Sequence, residues 1–285
     1  MKILVIGSFG MLGNEIARQL GKKESVDLYA WDVGDLDITD FPLTEEKISN
    51  LMPKVIFNCA AYNFVDKAED ERELAMKINF KAVENLAKVA EKIGAIFVHY
   101  STGYVFNGEK GGAYAEDEKL DPQSVYARSK FLGEKAALEF CRKTYLIRLN
   151  QLFGKSGAGA ASKKGFVDMV LELASSGKKE LDFVSDEIST RAYAPDLAKA
   201  SIELVFGKYP FGIYHLTNEG QASWHEWASE ILKIKGVENV KINKVSAGAF
   251  VRKAARPKNS SLANTKFPKQ RKWQDALKEY IMEQE

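Results

Sequence analysis

The amino-acid sequence predicts an α/β fold, a doubly wound parallel sheet carrying a smaller C-terminal region. Two observations predict it. Short apolar runs alternate with longer segments of helical period through the first half, the pattern that forces parallel strands joined by crossover helices. The opening run is followed at once by Gly7, Gly10 and Gly13, three glycines spaced for a tight strand-to-helix turn. The 285 residues suffice for one large domain or two interlocked ones. A composition of 45% hydrophobic and 28% charged residues with 7 prolines leaves little room for a long disordered tract.

Lys2 to Ile6 reads as the first strand, apolar on both faces as a covered parallel strand must be. Met11 to Leu20 follows as an amphipathic helix. Val26 to Trp31, Val55 to Asn58, Ile96 to Tyr100 and Tyr145 to Leu149 give four more strands, with helices at Glu71 to Ile93 and Ser124 to Cys141. After Arg148 the texture changes: Gly154 to Gly165 (GKSGAGAASKKG) is dominated by small residues and reads as a mobile boundary loop. The chain is therefore expected to divide into residues 1–150 and 151–285, with some later elements packing back on the first part. Helices are predicted near Phe166 to Ser175, Pro195 to Phe206, Trp224 to Lys233 and Gln274 to Met282.

Lys and Arg number 41 against 39 Asp and Glu, a net charge of +2 that suits neither a nucleic-acid footprint nor a membrane-surface protein. Cys59 and Cys141 allow at most one bridge, and Cys59 lies in an apolar run where a buried free thiol is expected, so the chain reads as a protein of a reducing compartment. Gly7, Ser8 and Gly10 interrupt the opening apolar run too early for a signal peptide. No stretch approaches the roughly 18 apolar residues of a membrane span, so a soluble, cytoplasmic protein is expected. His99, His215 and His225 are scattered, and neither Cys-x-x-Cys nor His-Glu-x-x-His occurs, so no metal site is expected.

The glycine turn points to a dinucleotide. Three glycines permit a tight turn, close backbone approach to a pyrophosphate, and close packing of helix on strand. The helix N-terminus, with Met11 and Leu12 in its first turn, offers free N–H groups and the positive end of a dipole. Gly7, Gly10, Met11, Leu12 and Gly13 are thus the phosphate-binding candidates of a Rossmann-type NAD(P) domain. Asp32 ends the second strand, where a carboxylate accepts hydrogen bonds from the adenosine ribose. An acid there makes NADH the simple inference, while a nearby Lys or Arg would admit NADPH. Asp37 and Ile38 are candidates for adenine contact. Ala60, Ala61 and Tyr62 leave the third strand as small residues passing close to a cofactor, and Tyr100 lies at the end of the fourth.

Tyr126 and Lys130 stand at i and i+4 on one face of a predicted helix. Ser101-Thr102 lies just beyond the fourth strand, at the carboxyl edge where ligands bind in an open α/β sheet. A carbonyl that accepts hydride needs a proton donor, and a phenol of ordinary pKa near 10 needs its phenolate stabilised to serve. An adjacent Lys130 ammonium, together with the positive nicotinamide ring, is expected to lower it, and Thr102 to bond the substrate oxygen and tune Tyr126.

These elements, in this order, resemble the extended short-chain dehydrogenase/reductases. Leu36-Asp37-Ile38-Thr39, Asn58 to Tyr62 leading to Val65-Asp66-Lys67-Ala68-Glu69, Ser101 to Gly108, Gly212 to Leu216 and Arg256 to Ser260 look like the dTDP-4-dehydrorhamnose reductase family nearly end to end. The resemblance implies a Rossmann domain for NADH or NADPH, a C-terminal region for a nucleotide sugar, a monomer or homodimer, and Tyr126 as proton donor to a C4 ketone. The departures gather on the sugar side. Gly103 stands where that family usually has Asp, Gln151 where it has a Trp near the sugar, and Gly165-Phe166 where it has Asn-Phe. The segment around Arg191 resembles one that grips the diphosphate in related nucleotide-sugar epimerases, so Thr102, Gly103, Gln151, Arg191 and Arg256 are the substrate-binding candidates. Gly103-Tyr104 cannot supply the acid and base of a dehydratase. A 4-epimerase, another nucleotide-sugar reductase, and a regulatory subunit that binds cofactor without turnover stay open beside the reductase.

Overall fold

In the computed structural model, residues 1–159 and 164–284 are described. Six parallel strands form the central sheet: β1 (Lys2–Ile6), β2 (Asp27–Trp31), β3 (Val55–Asn58), β4 (Ile96–Thr102), β5 (Thr144–Leu149) and, from far along the chain, Gly212–His215. Their spatial order is Gly212–His215, β5, β4, β3, β1, β2. The chain runs from β1 outward to β2 and then back past β1 to β3, so the order reverses beside β1. Outside the carboxyl ends of β1 and β3 the connecting loops diverge, and that crevice is where such sheets bind ligands.

β1 shows how the sequence specifies two covered faces. Ile3 and Val5 point to one side and meet Ile16 and Leu20 of α1 (Met11–Leu20), while Leu4 and Ile6 point to the other and join Ile48 of α2 (Phe41–Leu51). The small helix α3 (Lys67–Asp70) follows β3, and a long helix follows it as α4 (Arg72–Met76), a π-helical turn at Lys77–Lys81, and α5 (Ala82–Ile93). The catalytic candidates ride on α6 (Val125–Phe140), whose N-terminus is capped twice: the Ser124 hydroxyl accepts the Ala127 N–H and the Glu69 carboxylate accepts the Val125 N–H at 2.9 Å.

Beyond β5 come β6 (Leu152–Phe153), α7 (Phe166–Ser175), β7 (Glu180–Val184), β8 (Ile188–Thr190) and β9 (Ala192–Tyr193). Next are α8 (Ala194–Phe206), β10 (Gly212–His215, the sixth strand of the sheet), β11 (Gln221–Ser223), α9 (Trp224–Lys235), β12 (Lys241–Val245) and α10 (Trp273–Met282). A second apolar core gathers Phe153, Val170, Phe183, Trp227 and Tyr280 from these later elements. α8 and β10 pack back on the sheet: Leu197 and Leu204 share the core of Ile3 and Val5.

The predicted strands and helices agree with these bounds to within two residues, while α3 and the strands β6 to β12 had no counterpart among them. The single helix expected from Glu71 to Ile93 is interrupted by the π turn. α2 was not anticipated, although Asp40 caps it and Pro42 opens it. Of the expected mobile loop, residues 160–163 lie outside the described residues, while the part just before them is docked: Gly159 N–H donates to the Phe9 carbonyl at 3.2 Å. Among the described residues no helix is long and apolar enough to cross a membrane.

Candidate active site

The glycine turn is built from contacts that tolerate no side chain. Gly7 has φ +76, and a Cβ there would lie 2.7 Å from the Ala60 nitrogen. A Cβ on Gly13 would lie 2.1 Å from the Gly7 oxygen, so the helix can sit on the strand only with glycine there. Gly10 is different: a Cβ would meet only the Gly7 oxygen, at 3.3 Å, leaving its outer side open. No side chain caps α1, so its first N–H groups point outward as an anion site requires. Met11 is half-buried and Leu12 buried in the core. Asp32 sits over the turn, its carboxylate accepting the Phe9 N–H at 2.8 Å and the Val33 N–H at 2.9 Å.

Asp37 folds onto its own turn by accepting the Thr39 N–H. The Ile38 side chain is buried and packs with Leu36 and Ile48, which leaves its backbone as the part able to meet an adenine. Ala60 and Ala61 line the exit of β3 as half-buried small residues. Tyr62 is held by Asn79, which accepts the Tyr62 N–H at 2.9 Å and donates to the Tyr62 oxygen and to Ser129 on α6, both at 3.0 Å. Asn79 lies in the π turn, whose widened backbone also brings its carbonyl to 2.1 Å from where a Gly133 Cβ would be. One amide thus ties the exit of β3 to α6.

Thr102 ends β4, and Tyr126 and Lys130 face it from the first two turns of α6. The Tyr126 phenol lies beside the Thr102 side chain, and its ring stands edge-on to Tyr104 at 6.3 Å between centroids. The Lys130 ammonium, only 3% exposed, donates to the Tyr100 carbonyl at 2.6 Å. Tyr100 therefore serves through its backbone, while its ring packs in the core with Val98 and Ile147. Burial pushes the Tyr126 phenol up from its ordinary value and the neighbouring Thr102 hydroxyl pulls it back. Burial pushes Lys130 down to about 8, opposed by the carboxylate of Glu134. Without a dinucleotide, desolvation dominates at the phenol, and the Lys130 ammonium is bonded to a carbonyl.

On the substrate side the structure changes the picture most. Gly103 is buried, donates its N–H to the Asn150 side-chain oxygen at 3.0 Å, and has no room for a Cβ, which would lie 2.5 Å from that oxygen and 2.6 Å from the Ser260 carbonyl oxygen. Asn150 thus fills the place a side chain at 103 would take. Gln151 has φ +32, a strained left-handed conformation at the switch from β5 to β6, and its side chain lies beside the Tyr104 phenol.

Arg191 offers no fork to the cleft. Fully buried, it donates to the carbonyls of Ser189, Ala222 and Ser223 and to the Ser189 hydroxyl, and lies 4.4 Å over the Trp227 ring. Burial without a carboxylate partner pushes it down to about 9. The expected diphosphate clamp at Arg191 is therefore corrected to an interior brace between β8 and β11. Arg256 stays near the cleft but is engaged: its fork meets both oxygens of Asp66 at 2.7 and 2.6 Å, which holds that carboxyl down at about 2. Sequence reasoning missed Tyr104, Asn79 and Asp66 as parts of this site. Asp66 and Tyr104 lie inside family-like stretches, whereas Asn79 shows no local signal.

All 285 residues match the family described as RmlD substrate binding domain. The chain is 34% identical to a dTDP-4-dehydrorhamnose reductase of Aggregatibacter actinomycetemcomitans, over 97% of each chain. A solved dTDP-4-dehydrorhamnose reductase from Clostridium acetobutylicum superposes with a TM-score of 0.93 at 36% identity, covering 100% of this chain and 99% of that one. The Bacillus anthracis enzyme of the same name, solved in complex with NADP, also gives 0.93, at 31% identity and 99% of both chains. With its parallel six-stranded sheet, glycine turn and Thr-Tyr-Lys cluster, the chain belongs to the dTDP-4-dehydrorhamnose reductase family.

Proposed function

We propose that the chain reduces the C4 ketone of dTDP-4-dehydro-L-rhamnose to dTDP-L-rhamnose, using NADH or NADPH. The observation that carries this reading is the convergence of Thr102, Tyr126 and Lys130 at the carboxyl edge of β4, beside the point where the strand order reverses. The names of the relatives agree with it.

The residues of the turn fit a dinucleotide: the uncapped α1 N-terminus and the open side of Gly10 accommodate a pyrophosphate, Asp32 accepts from ribose hydroxyls, and Ala60 and Ala61 let a ring pass close. When bound, the reduced nicotinamide supplies a hydride to C4. Tyr126 holds the proton that the carbonyl oxygen needs as negative charge gathers on it, and donates it to give the alcohol. Thr102, beside the Tyr126 phenol, bonds the same oxygen in this reading, so donor and acceptor are fixed in one geometry. Lys130, pinned at Tyr100, keeps donors for the nicotinamide ribose and a positive charge to favour the Tyr126 phenolate left behind, which is reprotonated from solvent. Tyr104 and Gln151 wall the sugar, and Arg256 meets the diphosphate from its seat on Asp66.

The test is loss of reduced-nicotinamide absorbance on adding dTDP-4-dehydro-L-rhamnose, with NADH and NADPH in parallel and Tyr126→Phe as control. Oxidation that depends on Tyr126 supports the assignment. Undiminished reduction by the variant, or none by the wild type with bound cofactor, overturns it.

A further inference from the structure

We propose that Asp32 and Asp35 together make the adenosine end of this site select NADH over NADPH. The inference rests on reading the glycine turn as a dinucleotide site, and goes beyond it by naming the cofactor.

The end of β2 is stapled to the turn: the Trp31 carbonyl accepts the N–H groups of Gly7 at 2.8 Å and Ser8 at 3.1 Å. The next residue, Asp32, has each carboxylate oxygen fixed by a different backbone N–H, Oδ2 by Phe9 and Oδ1 by Val33. A carboxylate held at both oxygens cannot rotate away from an incoming anion. Asp35 brings a second one to the same peptide, because its Oδ2 accepts the Asp32 N–H at 2.9 Å while the Asp35 and Leu36 N–H groups return to the Asp32 carbonyl, both at 2.9 Å. Between the two acids the surface is open: the Val33 side chain is 71% exposed and a Cβ on Gly34 would meet nothing within 4 Å.

Ribose hydroxyls can donate to such a carboxylate. A 2′-phosphate has only acceptor oxygens and carries close to two negative charges near neutral pH, so here it would lie against one immobile carboxylate with another beside it. A basic side chain, Lys47, reaches this turn, and it donates to the Asp35 carbonyl at 2.6 Å rather than to either carboxylate. The geometry of the turn therefore favours two hydroxyls over a phosphate.

The experiment titrates the purified chain with NADH and with NADPH, read by nicotinamide fluorescence, for the wild type, D35N, D32N and K47M. The readout is the ratio of the two dissociation constants, which a general loss of fold does not move. In D35N the asparagine oxygen still accepts the Asp32 N–H, so the loop keeps its shape and only the charge is lost. The wild type is expected to bind NADH roughly tenfold or more tightly over NADPH, and D35N to cut that ratio by roughly fivefold, the scale of one partly screened charge contact. D32N narrows it as well, and added salt narrows the wild-type ratio more than that of D35N. Equal or tighter wild-type binding of NADPH overturns the proposal, as does a ratio that D35N leaves unmoved. A K47M variant that loses NADPH selectively overturns it too, by making Lys47 a phosphate anchor. If neither dinucleotide binds, the reading of the turn fails and this inference with it.

Discussion

Replacing Glu134 by Gln removes one half of an ion pair that solvent does not reach. Glu134 and Arg148 have side chains 2% and 1% exposed, joined through two contacts of 3.0 and 2.8 Å. The guanidinium also donates to the Glu116 carbonyl and faces His215 Nε2 at 3.3 Å. His215 Nδ1 lies 3.1 Å from the Ala263 carbonyl, which can only accept, so Nδ1 carries the proton and Nε2 accepts from Arg148. E134Q therefore strands a buried cation that cannot shed its proton, a change that costs about 3–5 kcal/mol. At about 2–4 °C per kcal/mol for a large domain, the melting temperature falls by roughly 6–20 °C.

Arg148→Met strands the carboxylate instead, and a carboxylate can neutralise itself by taking up a proton. Between the ordinary carboxylate range and its raised value in that variant, the native state holds one proton more than the unfolded chain, so stability rises as pH falls. Urea unfolding at pH 5 and pH 8 is the assay. R148M should lose less at pH 5, E134Q should lose equally at both, and E134L/R148M, which buries no charge, should recover most of the loss. A deficit below about 1 kcal/mol for E134Q would place the pair with weakly coupled surface bridges and refute the reasoning.

The other predictions follow from contacts already described. Tyr126→Phe should lower kcat by about 10²–10⁴-fold, with cofactor affinity within a few fold of the wild type by fluorescence titration. Because Lys130 titrates at about 8 when buried and at its ordinary 10.5 when unfolded, the ammonium costs stability below that window, and stability from this group rises as pH climbs from 8 to 10.5. Lys130→Met should then be more stable at pH 7 by up to about 3 kcal/mol in urea while losing activity, and wild-type kcat/KM should fall as pH rises through about 8. Gly13→Ala should abolish dinucleotide binding in a titration, since its Cβ would stand 2.1 Å from the Gly7 oxygen. Gly103→Ala should destabilise by about 1–3 kcal/mol through the clash with Asn150, and Gly103→Ala with Asn150→Ser should regain part of it in thermal unfolding.

Elements with a continuous apolar run and a clear stop were legible in the sequence. β1 is bounded by Gly7, α1 by Gly10 and Gly21, and α6 by the Ser124 cap, so local physics fixes their ends. α2 was hidden because it buries only Thr44 and Ile48, too thin an apolar stripe to give a period. The π turn was hidden because its cause is tertiary: Asn79 meets Tyr62 and Ser129, 17 and 50 residues away. The grouping of Thr102, Tyr126 and Lys130 was legible from their place after β4. The fate of Arg191 was not, since a sequence shows a cation but not the carbonyls 31 and 32 residues further on that draw it inward.

The pairing of β10 with β5 bears on synthesis. β5 is complete at Leu149, yet the strand that covers its outer side ends at His215. At roughly 5–20 residues per second, a ribosome takes several seconds to make the intervening segment. During that interval the nascent sheet presents an unpaired hydrogen-bonding edge, the kind that recruits foreign strands. A fragment ending near residue 150 would keep that edge for good, and should be recovered as aggregate even though every strand it contains is intact.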